Sequence, residues 1–489
     1  MAADPGGRGQ GGTEGTPVSG EEELRELGYG QELKRSLGVV ATVALVVADI
    51  TPVTSLLVIA PVVLATAGTG AFWVYLISAV LAVSVALCMA ELGSIYPVAG
   101  GLYSIVARVL GREIGFLALL DYVGQAVFLP ASIVLGFGTY LSALVPWLSP
   151  NLASFVTMLV ITGLALLPIG GNAGITAVFL TLELLLLATL TVVGFANIEQ
   201  PIGALFQPVL VSPGGNATAV GLGLIFAAVA TGLFSFNGYD SAINFSEETR
   251  GEAKNVGQAV MVAAITGISF QVVPLVAVIL AAPSLGKFLN SDAPISYAFE
   301  AAIGRAGSTI LTVGVLVAIF AATLAITLQF ARIVYSTGRD RVWPGGVNDA
   351  LSRVSPRFGS PYVSVLLVGG LAAILTLFSG LVLVVTFTAV LIIVMYALIA
   401  ICALVSRLRQ RNLERPYRMP LWPLPPLLAL VGVAIAITQQ TVANLLIVAG
   451  IFVAGIIYYL LYLRPRSSTH WRAPEVQITE SNPTGRRMR

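Results

Sequence analysis

The 489-residue chain is 57% apolar and only 10% charged, with 26 Lys and Arg against 24 Asp and Glu. Soluble proteins normally carry about a quarter charged residues, so a soluble enzyme of one to three domains is excluded. The net charge of +2 implies no polyanionic partner such as a nucleic acid.

The charges are unevenly placed. Residues 1–35 hold eleven, residues 464–489 hold eight, and the 428 residues between hold thirty-one. That sparse block fits a polytopic membrane protein, because each helix needs about 20 apolar residues to cross the hydrocarbon. The stretch before it, 1–37, is Gly-rich and acidic with no apolar signal segment, and reads as a disordered cytoplasmic tail.

Apolar runs then predict about twelve spans, near 38–65, 71–96, 113–145, 152–169, 173–198, 219–246, 256–282, 308–337, 361–380, 383–406, 421–440 and 442–463. With the N-terminus inside, the inner loops carry fourteen basic residues, among them Arg108, Arg112, Arg250, Lys254, Arg339, Arg341, Arg353, Arg357 and Arg407 to Arg418. The outer loops carry two, Lys287 and Arg305. This bias places both termini on the cytoplasmic side of a plasma (inner) membrane. The longest outer connection, 283–307, is expected to include a surface helix. Residues 464–489 read as a cytoplasmic C-terminal tail. Asn216-Ala217-Thr218 on an outer loop spells a glycosylation sequon that reads as chance.

Cysteine and histidine exclude more than they suggest. Cys88 and Cys402 lie in apolar runs and read as small buried hydrophobes. The one histidine, His470, sits in the C-terminal tail, so a His triad or a multi-His metal site within the membrane is excluded. No resident metal or cofactor is implied beyond a coupling proton or sodium ion. No GxxxxGK[ST] phosphate loop is present, which argues against ATP drive.

Polar residues in a bilayer are costly and each needs a reason. The first span is interrupted at Ala48-Asp49-Ile50-Thr51-Pro52-Val53-Thr54-Ser55. Proline removes a helix donor and clashes with the preceding turn. Thr51, Thr54 and Ser55 offer hydroxyls to freed backbone or to a ligand. The sixth span begins as clean helix and then packs Phe234-Ser235-Phe236-Asn237-Gly238-Tyr239-Asp240-Ser241 at mid-depth. A helix unwound at Gly238 tolerates that group if the freed backbone lines a cavity. Two broken spans in corresponding places of two five-helix halves point to an inverted-repeat transporter with a midplane site. An ordinary proline kink and a Gly-flexed helix are the plainer alternatives.

Four stretches, in order along the chain, resemble the amino acid–polyamine–organocation (APC) superfamily. They are Ala90-Glu91-Leu92-Gly93-Ser94-Ile95-Tyr96-Pro97-Val98-Ala99-Gly100-Gly101-Leu102-Tyr103; the span-six element followed by Glu247-Glu248-Thr249 through Asn255; Ala331-Arg332-Ile333-Val334-Tyr335 to Arg339-Asp340 with Pro356 and Ser360-Pro361-Tyr362; and Arg415-Pro416-Tyr417-Arg418-Met419-Pro420. The resemblance implies an all-α polytopic fold of about twelve transmembrane helices. It is LeuT-like, with a 5+5 inverted repeat (38–198 and 219–406), two extra helices (421–463), and spans one and six unwound. It implies secondary transport of amino acids or related amines by alternating access. It places the substrate on the unwound parts, so that Phe234 or Phe236 would gate the site and Asp240 stands where relatives usually have Glu.

The sequence departs from the family in two places. Thr54-Ser55-Leu56 replaces the glycines common in the first break, so backbone amides approach a carboxylate less freely. That keeps amines open beside amino acids. In proton-coupled relatives span five can carry a lysine; here its sole charge is Glu183. A carboxyl in an apolar run resists ionisation through desolvation, which suits a proton carrier, while a structural acid is the plainer reading. The candidate binding residues are thus Asp49, Thr51, Thr54, Ser55, Gln125, Phe234, Phe236, Asn237, Gly238 and Asp240, with Glu183 and Asp240 as coupling candidates. Asp121 reads as structural. Ser132 could also face the site. Thr323 and Thr327 could ligate sodium or bond their own backbone. A polyamine or organic-amine permease is the nearest alternative. A carrier of the major facilitator type, a channel and a sensor lack the sequence features those classes need.

Overall fold

The computed structural model describes residues 38–97, 101–167, 173–246, 253–356 and 359–471, with backbone alone for 173–177. The N-terminal tail 1–37, Val98-Ala99-Gly100, the Glu247-Glu248-Thr249 triplet with Arg250, Arg357, and 472–489 lie outside the described residues.

The chain is mainly helical. The first half contains α1 (Val39–Ile50), α2 (Pro52–Thr54), a π-helical turn (Ser55–Ile59), α3 (Ala60–Ala67), α4 (Ala71–Ile95), α5 (Gly101–Leu110), α6 (Arg112–Leu144), α7 (Pro150–Ala165) and α8 (Ala173–Ala196). A short α9 (Gly203–Phe206) precedes a hairpin of β1 (Val209–Val211) and β2 (Ala217–Ala219). Then follow α10 (Leu222–Ser235), α11 (Ser241–Asn244), α12 (Lys254–Leu280), α13 (Leu285–Leu289), α14 (Pro294–Arg339), α15 (Gly345–Leu351), α16 (Tyr362–Phe378), α17 (Leu381–Arg409), α18 (Leu424–Thr438) and α19 (Val442–Tyr458).

Among the described residues, seven helical stretches are long and apolar enough to cross a membrane, and five further apolar helices have 10–17 residues. Helices apolar all round, with few charges, belong in a bilayer. The chain is an integral multi-pass membrane protein. The shorter helices have local causes. α10 stops at Ser235 where the polar group begins. α16 is bounded by Pro361 before it and by Ser379-Gly380 after it.

Within the outer connection α14 begins as a helix at Pro294, breaks at Gly304, where φ of 73° and ψ of 170° are not helical, and resumes as the next span to Arg339. One detail departs from the sequence reading. The hairpin is a strand pair in a fold expected to be wholly helical. Its antiparallel register pairs Val209 with Ala219 and Val211 with Ala217. Val209 N–H donates to Thr69 Oγ1 at 2.9 Å, fixing the hairpin to the turn after α3.

The motifs at the two ends of the chain meet. Glu91, on α4, is 1% exposed and pairs with both Arg407 and Arg415. Arg415 NH1 lies 2.9 Å from Oε1, Arg407 Nε donates to the same oxygen at 2.8 Å, and Met419 N–H donates to Oε2 at 2.8 Å. Tyr417 N–H donates to Ser94 Oγ at 3.1 Å. One carboxylate therefore ties α4 to α17 and to the segment after it. Removing one partner of such a pair leaves the other charges uncompensated and costs about 3–5 kcal/mol. Glu91→Gln is expected to lower the melting temperature of the purified protein markedly. An unchanged melting curve would show that the cluster adds nothing to stability.

Candidate functional site

The first break is built by three adjacent residues. α1 ends at Thr51, whose φ of 46° and ψ of 64° are left-handed. For a β-branched residue that conformation costs about 1–3 kcal/mol. Pro52 follows and contributes no N–H, so α2 starts afresh. The freed Ile50 carbonyl accepts from Ser55 Oγ at 3.0 Å, and Thr51 O accepts from Ser55 N–H at 2.9 Å. Within the π-helical turn, Leu57 O accepts from Tyr140 OH at 2.9 Å. Side chains thus satisfy backbone that a regular helix would have paired.

The second break lies directly against the first. α10 ends at Ser235 and the chain turns through residues 236–240 before α11. Gly238 has φ of 119°, and a Cβ there would come within 2.9 Å of both N and Cα of Ile50. Only glycine allows this approach without displacing the neighbouring backbone. Asn237 Oδ1 accepts from Tyr396 OH at 3.0 Å, which ties this break to α17. Behind it, Ser235 Oγ donates to Gln271 Oε1 at 2.7 Å and lies 2.7 Å from Tyr75 OH.

A cavity of about 30 Å³ sits where the breaks meet. Asp49, Thr51 and Ser55 line it from the first break. Phe234, Asn237, Gly238 and Asp240 line it from the second, and Gln125 from α6. Thr54 and Phe236, the other two predicted binding residues, are not in the lining. Thr54 is fully buried, and the Phe236 ring packs edge-on against Tyr75 at 5.4 Å. Asp49 and Asp240 thus share the cavity, and Asp49 also faces Ser241 and Gln329. Among the described residues no Lys, Arg or His lines the cavity. Two acids and a set of hydroxyls and amides suit a cation or an ammonium group, not a free carboxylate.

The structure adds residues that sequence reasoning missed. Tyr122 lines the cavity and donates to Asp240 Oδ2 at 2.5 Å. Gln329 and Phe330 face it from α14. Tyr122 stands three residues before Gln125 on the same helix face, so the Gln125 assignment already carried the signal. Gln329 is the sole carboxamide of the span at 308–337.

The remaining candidates lie elsewhere. Gln125 Nε2 donates to Asp121 Oδ2 at 2.8 Å, which gives Asp121 a supporting place behind the cavity. Ser132 Oγ donates to Leu129 O at 2.7 Å. Thr323 and Thr327 each donate to the carbonyl four residues back at 2.7 Å. Glu183 is 3% exposed and outside the cavity lining, and its Oε2 has no hydrogen-bond partner among the described residues. Its helix, α8, packs on α1 and α2, the two sides of the first break.

The sequence pattern of a known family, described as amino acid permease, matches residues 37–463. The chain belongs to the amino acid permease family, within the APC superfamily. It is 23% identical to a branched-chain amino acid permease of Bacillus subtilis, across 82% of this chain and 87% of that protein. It is equally identical, 23%, to a methylthioribose transporter of the same organism, across 82% of this chain and 88% of that one. A low-affinity putrescine importer of Escherichia coli is 25% identical across 59% of this chain and 62% of its own length. As a member of a permease family the protein is a transporter of amino acids or amines and not an enzyme.

Proposed function

We propose that the protein is a secondary active transporter that moves amino acids or related amines by alternating access. The observation that carries this reading is the meeting of both helix breaks on one cavity bearing Asp49 and Asp240 and, among the described residues, no basic side chain. A substrate ammonium between the two carboxylates replaces water with charge-assisted hydrogen bonds. Phe234 and Phe330 contact the apolar remainder of the substrate. In this reading the fold is a LeuT-like arrangement of about twelve spans, with repeats over 38–198 and 219–406 and both termini cytoplasmic in the plasma membrane.

Within that class the first break favours an amine over an α-amino acid. Pro52 removes one backbone donor there, and Thr54-Ser55-Leu56 lacks the glycines that let amides close on a carboxylate. A putrescine importer among the relatives is consistent with that preference. A thermal-shift screen of amines and amino acids, with and without sodium, tests the reading. Amines are expected to raise the melting temperature through binding to the folded state. No shift with any amine or amino acid would contradict it.

Glu183 is the proposed carrier of a coupling proton. It is buried on the helix that packs against both sides of the first break. Glu183→Gln is expected to flatten the pH dependence of uptake while leaving substrate affinity near its original value. An unaltered pH profile rejects the assignment.

A further inference from the structure

The family match ends at residue 463, yet the described chain continues to Trp471 and folds back onto the protein. The tail expected from residue 464 therefore starts as a packed segment. Trp471 is 2% exposed, a burial that its polar neighbours in sequence do not foretell. Its backbone N–H donates to Asp340 O at 3.1 Å and Arg341 O at 3.3 Å, at the end of α14. Its Nε1–H donates to Arg112 O at 3.1 Å, at the start of α6. The Arg112 guanidinium in turn donates to His470 O at 3.3 Å and to Trp471 O. The indole packs against Tyr103 of α5 and Phe116 of α6, each with centroids 6.1 Å away.

The same contacts run on to the cavity. Tyr103 OH lies 3.4 Å from both Ser336 Oγ and Asp340 Oδ2, so α5 is held to the end of α14. Gly101, at the start of α5, has φ of 63°, and a Cβ there would meet Asn244 Oδ1 at 2.6 Å and the Tyr122 ring at 3.5 Å. Asn244 ends α11, below the second break. Tyr122 is the residue that bonds Asp240 in the cavity. α5 thus packs against both the foot of the broken sixth span and the Tyr122 ring, and Trp471 holds α5 from the other side.

We propose that residues 464–471 form a latch that keeps the cavity closed towards the membrane face carrying the C-terminus. The proposal rests on the transport reading only in naming that closure a gate. Opening towards that face requires α5 and α11 to part from α6 and α14. The Trp471 contacts bridge α5, α6 and α14 and must loosen for that to happen.

The test places a single cysteine at Asn237 in a chain lacking Cys88 and Cys402. Its labelling by a membrane-impermeant maleimide is followed in vesicles of each orientation. Trp471→Ala, and separately truncation after Arg466, are expected to raise labelling from the C-terminal face about fivefold or more, the lower end of ordinary coupling effects. Labelling from the opposite face is expected to fall. Trp471→Phe keeps an aromatic ring against Tyr103 and Phe116, loses the indole bond and is expected to fall between; it carries the test if the harsher variants do not fold. Unchanged labelling from both faces would overturn the latch. An equal rise from both faces would also overturn it, since that marks general loosening. Labelling needs no transport, so a failure of the transport reading leaves this result interpretable.

Discussion

Asp240→Asn is expected to reduce transport efficiency at low substrate concentration by about thirty-fold, equivalent to about 2 kcal/mol, the worth of a hydrogen bond to a charged group. Three features set this size. Asp240 is 8% exposed, so the contact it makes is weakly screened. Among the described residues lining the cavity the acids are Asp49 and Asp240, so the substitution halves the carboxyl groups that face an ammonium. Its other oxygen partner, Tyr122, persists as a donor to the amide oxygen, so the local fold is retained. The loss therefore falls on substrate affinity and not on yield. Asp240→Glu, the acid more usual in the family, is expected to keep most of the activity. An Asn variant with wild-type apparent affinity would remove Asp240 from the substrate's contacts.

The second large effect is expected at Gly238. Alanine there faces two obstacles at once. A φ of 119° is strained for any residue with a Cβ, and that Cβ would come within 2.9 Å of the Ile50 backbone. The conformational part alone costs about 1–3 kcal/mol, and relieving the overlap must push the two breaks apart. Gly238→Ala is expected to bring uptake below about a tenth of wild type while a folded, monodisperse protein is still recovered. Full activity in this variant would mean that the breaks need not touch.

The sequence made some parts of this arrangement legible and hid others for physical reasons. Pro52, Gly238 and Asp240 each break a rule of membrane helices, so they stand out against apolar neighbours. Tyr122, Gln329 and Phe330 obey those rules. They lie on regular helix faces, and only knowledge of which face meets the cavity selects them. The hairpin has three-residue strands, too short for an alternating pattern, although Ser212-Pro213-Gly214-Gly215-Asn216 is a turn signal between Val211 and Ala217. Glu91 belongs to a motif visible in the sequence, but its pairing with Arg407 and Arg415 joins positions more than 300 apart. Composition says nothing about such a pairing. Trp471 was hidden for the opposite reason. One aromatic in a polar tail gives no periodicity, and its burial depends on Arg112, Tyr103 and Asp340, all distant in the chain.

The most direct test of the central claim is accumulation of labelled substrate in proteoliposomes, measured across amines, amino acids and uncharged analogues of the same size. If the two broken spans hold an ammonium between Asp49 and Asp240, at least one ammonium-bearing compound is accumulated in a saturable way. Its uncharged analogue is not, and the Asp240→Asn protein loses the uptake. Accumulation of the uncharged analogue as readily as the ammonium compound, or uptake indifferent to Asp240→Asn, contradicts the account.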